Sequence, residues 1–357
     1  MVIAMDENRR KRAPRLKEIS IEAGVSETTV DRVLNERGSV SAATRAKVVA
    51  AAKKLGVPRI LPDIRHGLVR IEVLLPADKT HFIQRLTNSL QRYAQMLDNR
   101  VIVQRTVIPE SSNDGYVQHI LYPKFRRNGL IVVSRYNDMI RNALEQVMAR
   151  GESVVTMMSD FPGIQPHHYA GIDNYRAGET AGYLIGKLNR QPGDVILLTN
   201  NLAYKAHQDR TGGFSTILHE KFGHLTHNDK PIETLDNVDN VYFSLQNHIR
   251  QHPAPECIVA IYNSGAGSAG IEAAIRKFLP DNQLTWVAHE ATDEHRKFME
   301  AGLLNFVIDQ DPDGQAISAL QHVLYANKVI ETDPQSKPID FKLFCEANIW
   351  KTQYFNS

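Results

Sequence analysis

Apolar residues over roughly the first sixty positions recur at helical spacing, whereas beyond residue 70 they gather into short continuous runs, so the pattern divides the chain in two. In RLKEISIEAGVSETTVDRVLNERGSVSAATRAKVVAAAKKLG, Leu16, Ile19 and Ala23 predict a first short helix, ended by Gly24 in a tight turn. Ser26 is placed to cap a second helix, with Val25 and Val30 as a hydrophobic staple and Val33 and Leu34 continuing the buried stripe. A third helix is expected to start at Ser41, bury Val48, Ala52 and Leu55, and stop at Gly56. Two short helices joined by a Gly-containing turn, with a third closing a small core, make a helix-turn-helix arrangement.

The later runs read as strands: IEVLL from 71, VIVQ from 101, GLIVVS from 129, SVVTMM from 153, HYAGI from 168, VILLT from 195, CIVAIY from 257, TWVAHE from 285 and LNFVID from 304. Amphipathic stretches such as FIQRLTNSLQRYAQML and AGETAGYLIGKL separate them. Alternating strands and helices predict an α/β body of parallel sheets with helices on both faces, split into two lobes.

Composition sharpens the division. At 42% hydrophobic and 23% charged, the 357 residues can bury a large core in two or three domains. The formal charge of +2 hides an asymmetry: residues 1 to 70 carry 15 Lys+Arg against 8 Asp+Glu, and the remainder 27 against 32. A basic module on an acidic body points to a polyanion-binding segment whose partner does not attract the rest of the chain. Cys257 and Cys345 are too few for a metal cage or a disulfide framework, and each is expected to pack as a small hydrophobe in a strand-like run. No apolar stretch follows Met1 and none spans a membrane, so a cytoplasmic protein is expected.

The segment LKEISIEAGVSETTVDRVLNERGSVSAATRAKV resembles the DNA-binding headpiece of the lac repressor (LacI/GalR) family, including AGVS, TV-RVLN and the VS-x-x-T-R start of the third helix. The resemblance implies that Glu27, Thr28 and Arg32 read base edges of double-stranded operator DNA in the major groove. Ser26, Thr29, Asn35, Ser41 and Thr44 would hold phosphates and fix register. Asp31 departs from the family, which usually has Ser there. Either its carboxylate points away from the DNA backbone, pairing with Arg32 or Arg37, or this protein docks slightly differently. A further departure is the linker VPRILPDIRHGLV, where Pro62 obstructs a regular hinge helix and Ile64 is the one apolar candidate for a minor-groove wedge.

The body resembles the effector domain of the same family, related to periplasmic sugar-binding proteins, through DN-x-x-AG, R-x-x-GF and DQ-x-P in the same order. That resemblance implies a sugar-like or polyol effector between the lobes, at the carboxyl ends of the strands. Phe82 would stack on the ligand, Asp160 and Arg210 would bind hydroxyls from opposite lobes, and Asn263, Glu290 and Gln310, each following a strand, would add donors and acceptors. Arg135 and Asn137 are weaker candidates. Asp173 and Asn174 are expected to cap a helix beginning near Ala177, and Met158-Ser159 replaces a family Asp-Arg pair, so the hydroxyl contacts differ.

One stretch competes with this reading. IYNSGAGSAG, Ile261 to Gly270, holds GxGxxG at Gly265, Gly267 and Gly270 between a strand-like and a helix-like run, with Glu290 twenty positions on. An NAD-dependent oxidoreductase would use such a loop. Here Asn263 and Ser264 intervene between strand and first glycine, and the loop lies mid-chain, so the glycines are expected to let a helix pack closely while Asn263 and Glu290 converge on a small ligand. The fourteen histidines form no HExxH, and neither GxSxG nor GxxxxGK[ST] occurs. No cofactor, metal or enzymatic step is expected. A sugar-binding protein without a regulatory role would share the body but have no use for the basic headpiece.

The expected organisation is a basic tail over 1–14, a helix-turn-helix domain over 15–57, a hinge over 58–69 and a two-lobed effector-binding and dimerisation domain over 70–357. Such a chain is expected to act as a repressor, a homodimer on a near-palindromic operator. The chain ends at Ser357 soon after FKLFCEANIW, which favours a dimer over a tetramer with a heptad tail.

Overall fold

The computed structural model describes residues 15–350 except 36, 38–39, 58–67, 79, 98–99, 165–166, 229, 281–282 and 335–336. It forms two compact units, residues 1–69 and 70–357. The basic tail and hinge residues 58–67, with Pro62 and Ile64, lie outside the described residues, and Val69, placed in the hinge from sequence, already opens the first strand of the body.

In the first unit, α1 (Leu16–Ala23), α2 (Glu27–Leu34) and α3 (Ala42–Lys54) enclose a core of Ile19, Ala23, Val30, Val33, Val48 and Ala52, with Val25 and Leu55 packed at its edge. Gly24 ends α1 in the left-handed conformation, φ 64°. Ser26 and Ser41 cap α2 and α3, accepting the amides of Thr29 and Thr44 at 3.2 Å each. Leu16 is the exception to the expected stripe: it opens α1 39% exposed, outside the three-helix core.

The second unit begins with one lobe: β1 (Val69–Pro76), α4 (His81–Met96), β2 (Val101–Ile108), α5 (Asn113–Leu121), β3 (Gly129–Val132), α6 (Asp138–Ala149), β4 (Ser153–Met157) and β5 (His168–Ala170). The chain crosses into the other lobe through α7 (Asn174–Leu188), β6 (Gly193–Thr199), α8 (Lys205–Lys221), β7 (Leu225–His227), β8 (Ile232–Glu233), α9 (Val238–Gln251) and β9 (Ile258–Asn263). There α10 (Ser268–Phe278), β10 (Thr285–His289), α11 (Asp293–Glu300) and β11 (Phe306–Asp309) follow. The next helix, α12 (Pro312–Ala326), returns to the first lobe and packs on α4, β4 and β5, before β12 (Lys342–Phe344) adds an antiparallel edge to β11.

The two sheets repeat one topology. Their orders are β2-β1-β3-β4-β5 and β7-β6-β9-β10-β11, the second extended by β12, with β8 also pairing β6. Alternation along β6 shows how each sheet is covered on both faces: Ile196 and Leu198 join the core under α9 and α10, while Val195 and Leu197 join that under α7 and α8. Both strand orders reverse direction beside their first strand, and the crevices so formed lie at the carboxyl ends of the strands. Three chain crossings join the lobes, and Ile172 and Ile339 of two of them form a parallel bridge.

Several expectations shift in detail. The helix after Asp173 begins at Asn174, so Asp173 alone is its cap, accepting the Arg176 amide at 3.0 Å. β7 and β8 are too short for an apolar run to announce them. Cys257 does not pack as a small hydrophobe: it lies exposed in a 3₁₀ turn, Pro255–Cys257, that precedes β9, and Cys345 is half-buried after β12. Among the described residues no helix is long and apolar enough to cross a membrane.

Candidate ligand cleft and DNA-facing residues

On α2 the apolar positions Val30, Val33 and Leu34 face the core, which leaves Glu27, Thr28 and Arg32 exposed on the opposite side. Ser26, Asn35 and Ser41 are exposed and Thr29 and Thr44 half-buried, with the hydroxyls of Ser26 and Thr29, and of Ser41 and Thr44, paired at 2.8 Å. Asp31 does not pair with Arg32 or Arg37 as expected. Its carboxylate accepts the Asn35 amide at 2.6 Å, one helical turn on, a spacing that brings the two side chains together.

Between the lobes of the second unit lies a cleft of about 100 Å³. Its walls come from strand ends: Asp78 after β1, Met158 after β4, Asn200 after β6, Ser264 after β9, Glu290 after β10 and Gln310 after β11. The lobes also touch directly around it. Tyr204 donates to Glu110 at 2.8 Å, the Tyr136 amide to the Ala203 carbonyl at 3.0 Å, and Arg85 on α4 reaches Asp309 at 2.6 Å.

Of the residues anticipated from sequence, Phe82, Arg210, Glu290 and Gln310 line this cleft. Asn263 stands one step behind it: its side chain accepts the Gly265 amide at 3.1 Å and donates to the Ala266 carbonyl at 2.9 Å, shaping the loop rather than facing the cavity. Asp160 is not part of the lining. Its Oδ1 is occupied by Thr156, the Phe161 amide and His167, at 2.8, 2.8 and 2.7 Å. Burial pushes the Asp160 carboxyl up, but those hydrogen bonds outweigh it and hold it below the usual range. Arg135 donates to the Ser111 carbonyl and Asn137 caps α6, and neither lines the cleft.

Two buried arginines separate structure from site. Arg127, 6% exposed, is paired with Glu72 and Glu152 at 2.7 Å each, as a buried cation requires. Arg210, 3% exposed, donates only to neutral acceptors: Nε to Asn174 Oδ1 and Nη1 to the Ser264 carbonyl, both at 2.8 Å. Among the described residues no carboxylate is in ion-pair distance, and Nη2 makes no hydrogen bond. Burial accordingly pulls its pKa down. The position is enforced by packing of α7 on α8, where a Cβ at Gly178 would meet the Arg210 carbonyl oxygen at 2.0 Å. A buried guanidinium with one edge free leaves N–H donors without acceptors.

Strain gathers at the same place. Met158, Asp236 and Glu290 line the cleft with φ of 66°, 54° and 68°, conformations that cost of order 1–3 kcal/mol each and persist where the surroundings dictate them. Burial pushes the Asp236 carboxyl up to about 7 although the Ala266 amide bonds it. Burial, with Asp309 close by, pushes Glu290 up to about 8 against the pull of Arg85. The imidazoles of His207 and His289 are held well below their ordinary value by burial and by Arg210, so both are neutral.

Asp78, Asn200, Tyr204, His207, Asp236 and His289 join the lining without having been anticipated. For Asp78 and Asn200 a signal existed, since each follows a strand that the apolar runs already predicted. Asp236 follows a two-residue strand and gave none.

The glycine loop is settled by the same geometry. Asp236 accepts the Ala266 amide at 2.7 Å, and a Cβ at Gly265 would meet its Oδ1 at 2.6 Å. A carboxylate of the protein thus occupies the amide that a pyrophosphate would take. Gly270 brings α10 against α9, its virtual Cβ 2.3 Å from the Val238 carbonyl oxygen, the close packing expected of these glycines. Among the described residues no cluster of His, Cys, Asp and Glu could hold a metal ion.

Comparison with known proteins agrees with both units. Residues 71–327 match the periplasmic binding protein domain, and residues 15–57 match the bacterial regulatory proteins of the lacI family. No curated protein sequence matches the chain significantly. Among solved structures, the chain is similar to a glucose-galactose binding protein from Geobacillus stearothermophilus, with a TM-score of 0.70 and 15% identity over 80% of this chain and 99% of that one. It is also similar to a solute binding protein of an ABC transporter from Burkholderia graminis in complex with D-arabinose, with a TM-score of 0.70 and 18% identity over 80% and 98%. An arabinose binding protein from Geobacillus stearothermophilus gives a TM-score of 0.62 at 15% identity over 79% and 98%.

Proposed function

The chain belongs to the periplasmic binding protein domain family and carries the DNA-binding domain of the lacI family of bacterial regulatory proteins, and from this premise we propose a transcriptional regulator tuned by a small polyhydroxylated ligand. The observation that carries the ligand side is Arg210: a buried guanidinium satisfied only by neutral groups, aimed into a cleft of strand ends. Hydroxyls or a ring oxygen of a sugar supply what its free edge lacks, while Glu290, Gln310 and Asp236 offer acceptors and donors around it and Phe82 an apolar face. The similar structures that bind glucose, galactose or arabinose support a sugar as the ligand.

On the DNA side, Arg32 and Glu27 would read guanine and cytosine edges, Thr28 would contact a neighbouring base, and Ser26, Thr29, Ser41 and Thr44 would fix register on phosphates. Asn35, drawn to Asp31, is the weakest of the phosphate candidates. The protein would act in the cytoplasm as a homodimer on a near-palindromic site, with the ligand stabilising one arrangement of the lobes and thereby shifting the population competent to bind operator. The reading requires no bond chemistry.

Fluorescence anisotropy on genomic fragments tests it. One fragment should be preferred over random duplex at physiological salt, and a sugar should change that affinity. Arg210→Ala should remove the change and leave operator binding intact. Equal affinity for all duplexes, with or without sugars, would reject the proposal.

A further inference from the structure

Resting on the ligand reading above, we infer that the cleft is an anion filter: it admits uncharged or cationic polyols and rejects their carboxylated or phosphorylated counterparts. Asp78, Asp236, Glu290 and Glu294 line it, against one lining guanidinium, Arg210. The other nearby guanidinium, Arg85, is already engaged by Asp309 at 2.6 Å and Glu290 at 3.4 Å. Of the four lining imidazoles, His207 and His289 are neutral, and burial lowers His295 to about 4, leaving His81 beside Glu294.

An acidic lining alone would say little, but two further observations mark a ligand position within it. His289 Nδ1 and Gln310 Oε1 are buried without a partner, in residues 2% and 4% exposed that both line the cleft. Their other polar atoms are bound, His289 Nε2 to the Tyr262 hydroxyl at 2.9 Å and Gln310 Nε2 to Glu290. Orphaned atoms of this kind await hydrogen bonds from something small and polar. Two of the acidic groups are also fixed in place: Asp78 by the Thr80 amide and hydroxyl at 2.9 Å each, Asp236 by Asn200 and Ala266 at 2.7 Å each. Neither of these two can swing out to admit a further negative charge without breaking those bonds. An incoming anion would meet four carboxyl side chains with one lining guanidinium to balance it, whereas a neutral hydroxyl can donate to any of the four.

The test is a thermal-shift comparison of isosteric pairs on the full chain: D-galactose against D-galacturonate, D-glucose against D-glucuronate, and D-glucosamine for the cation. At least one neutral or cationic member should raise Tm, with its carboxylated counterpart binding about a hundredfold more weakly or not at all. A galacturonate or glucuronate shift exceeding that of the parent sugar would overturn the filter. A second arm uses inorganic phosphate against chloride at equal ionic strength, with wild type unaffected and Asp236→Asn/Glu290→Gln gaining stabilisation. Phosphate stabilisation of wild type that Arg210→Ala abolishes would likewise overturn it. If no sugar of any charge shifts Tm, the polyol reading fails, while the phosphate arm still decides the filter.

Discussion

In the headpiece, Glu27, Thr28 and Arg32 stand exposed on one side of α2 while Val30, Val33 and Leu34 fill the other; in the cleft, Arg210 is 3% exposed and Asp236 and Glu290 sit on left-handed backbone. The headpiece exposes polar side chains that its apolar core does not use. The cleft holds its groups in surroundings that destabilise them: a cation without an anion, carboxylates pushed toward protonation, three strained residues. A surface that reads a large charged partner can remain hydrated until the partner arrives, whereas recognition of a small neutral ligand must be organised beforehand in a dry site.

Substitutions can break or sharpen this contrast. The largest effect is expected where burial and pairing coincide: Arg127→Met should cost about 3–5 kcal/mol in chemical denaturation, because Glu72 is left buried without its partner. Arg210→Met, equally buried, should cost far less, or even stabilise the ligand-free protein, while eliminating the ligand-induced Tm shift; a loss matching that of Arg127→Met would place Arg210 in the scaffold. In the headpiece, Arg32→Ala should weaken operator binding by roughly 1–3 kcal/mol and relax one base position, measured by anisotropy on operator variants, with no change in Tm. Ser26→Ala should lower headpiece stability by about 1 kcal/mol through loss of the α2 cap, read from helical circular dichroism.

A change of pH separates acid from base contributions in the cleft. A buried carboxyl with its pKa raised to about 7 keeps its proton where the unfolded chain has lost one, so its contribution to stability falls as pH rises from about 4 through 7. The neutral histidines act in the opposite sense, losing stability as pH falls below their ordinary value. Asp236→Asn removes only the first, and its Tm relative to wild type should climb across that interval; a flat difference would show that Asp236 is not desolvated.

The headpiece was almost wholly legible in sequence because its information is local. Cap, turn and stripe lie within four residues of one another, and the spacing that buries Val30 and Val33 also exposes Arg32. The body was legible as alternating elements, and the rule that ligands meet strand ends found Arg210's neighbours Glu290 and Gln310. The same rule did not foresee that Asn263, the last residue of β9, turns back to shape its own loop, nor did resemblance foresee that Asp160 Oδ1 is taken up by Thr156 and His167 outside the cleft lining. Asp236 left no trace in the pattern because the glycine loop that fixes it is contributed thirty residues later in the chain.

Periodicity, charge asymmetry and a dense run of residue types therefore determined from sequence alone that this chain couples a basic three-helix headpiece to a two-lobed α/β body. Only the tertiary structure decided which arginine is paired and which waits, and which carboxylates crowd one cleft. Spacing fixes what lies a few residues apart, but desolvation and charge balance depend on every element packed around a group, and those elements come from across the chain.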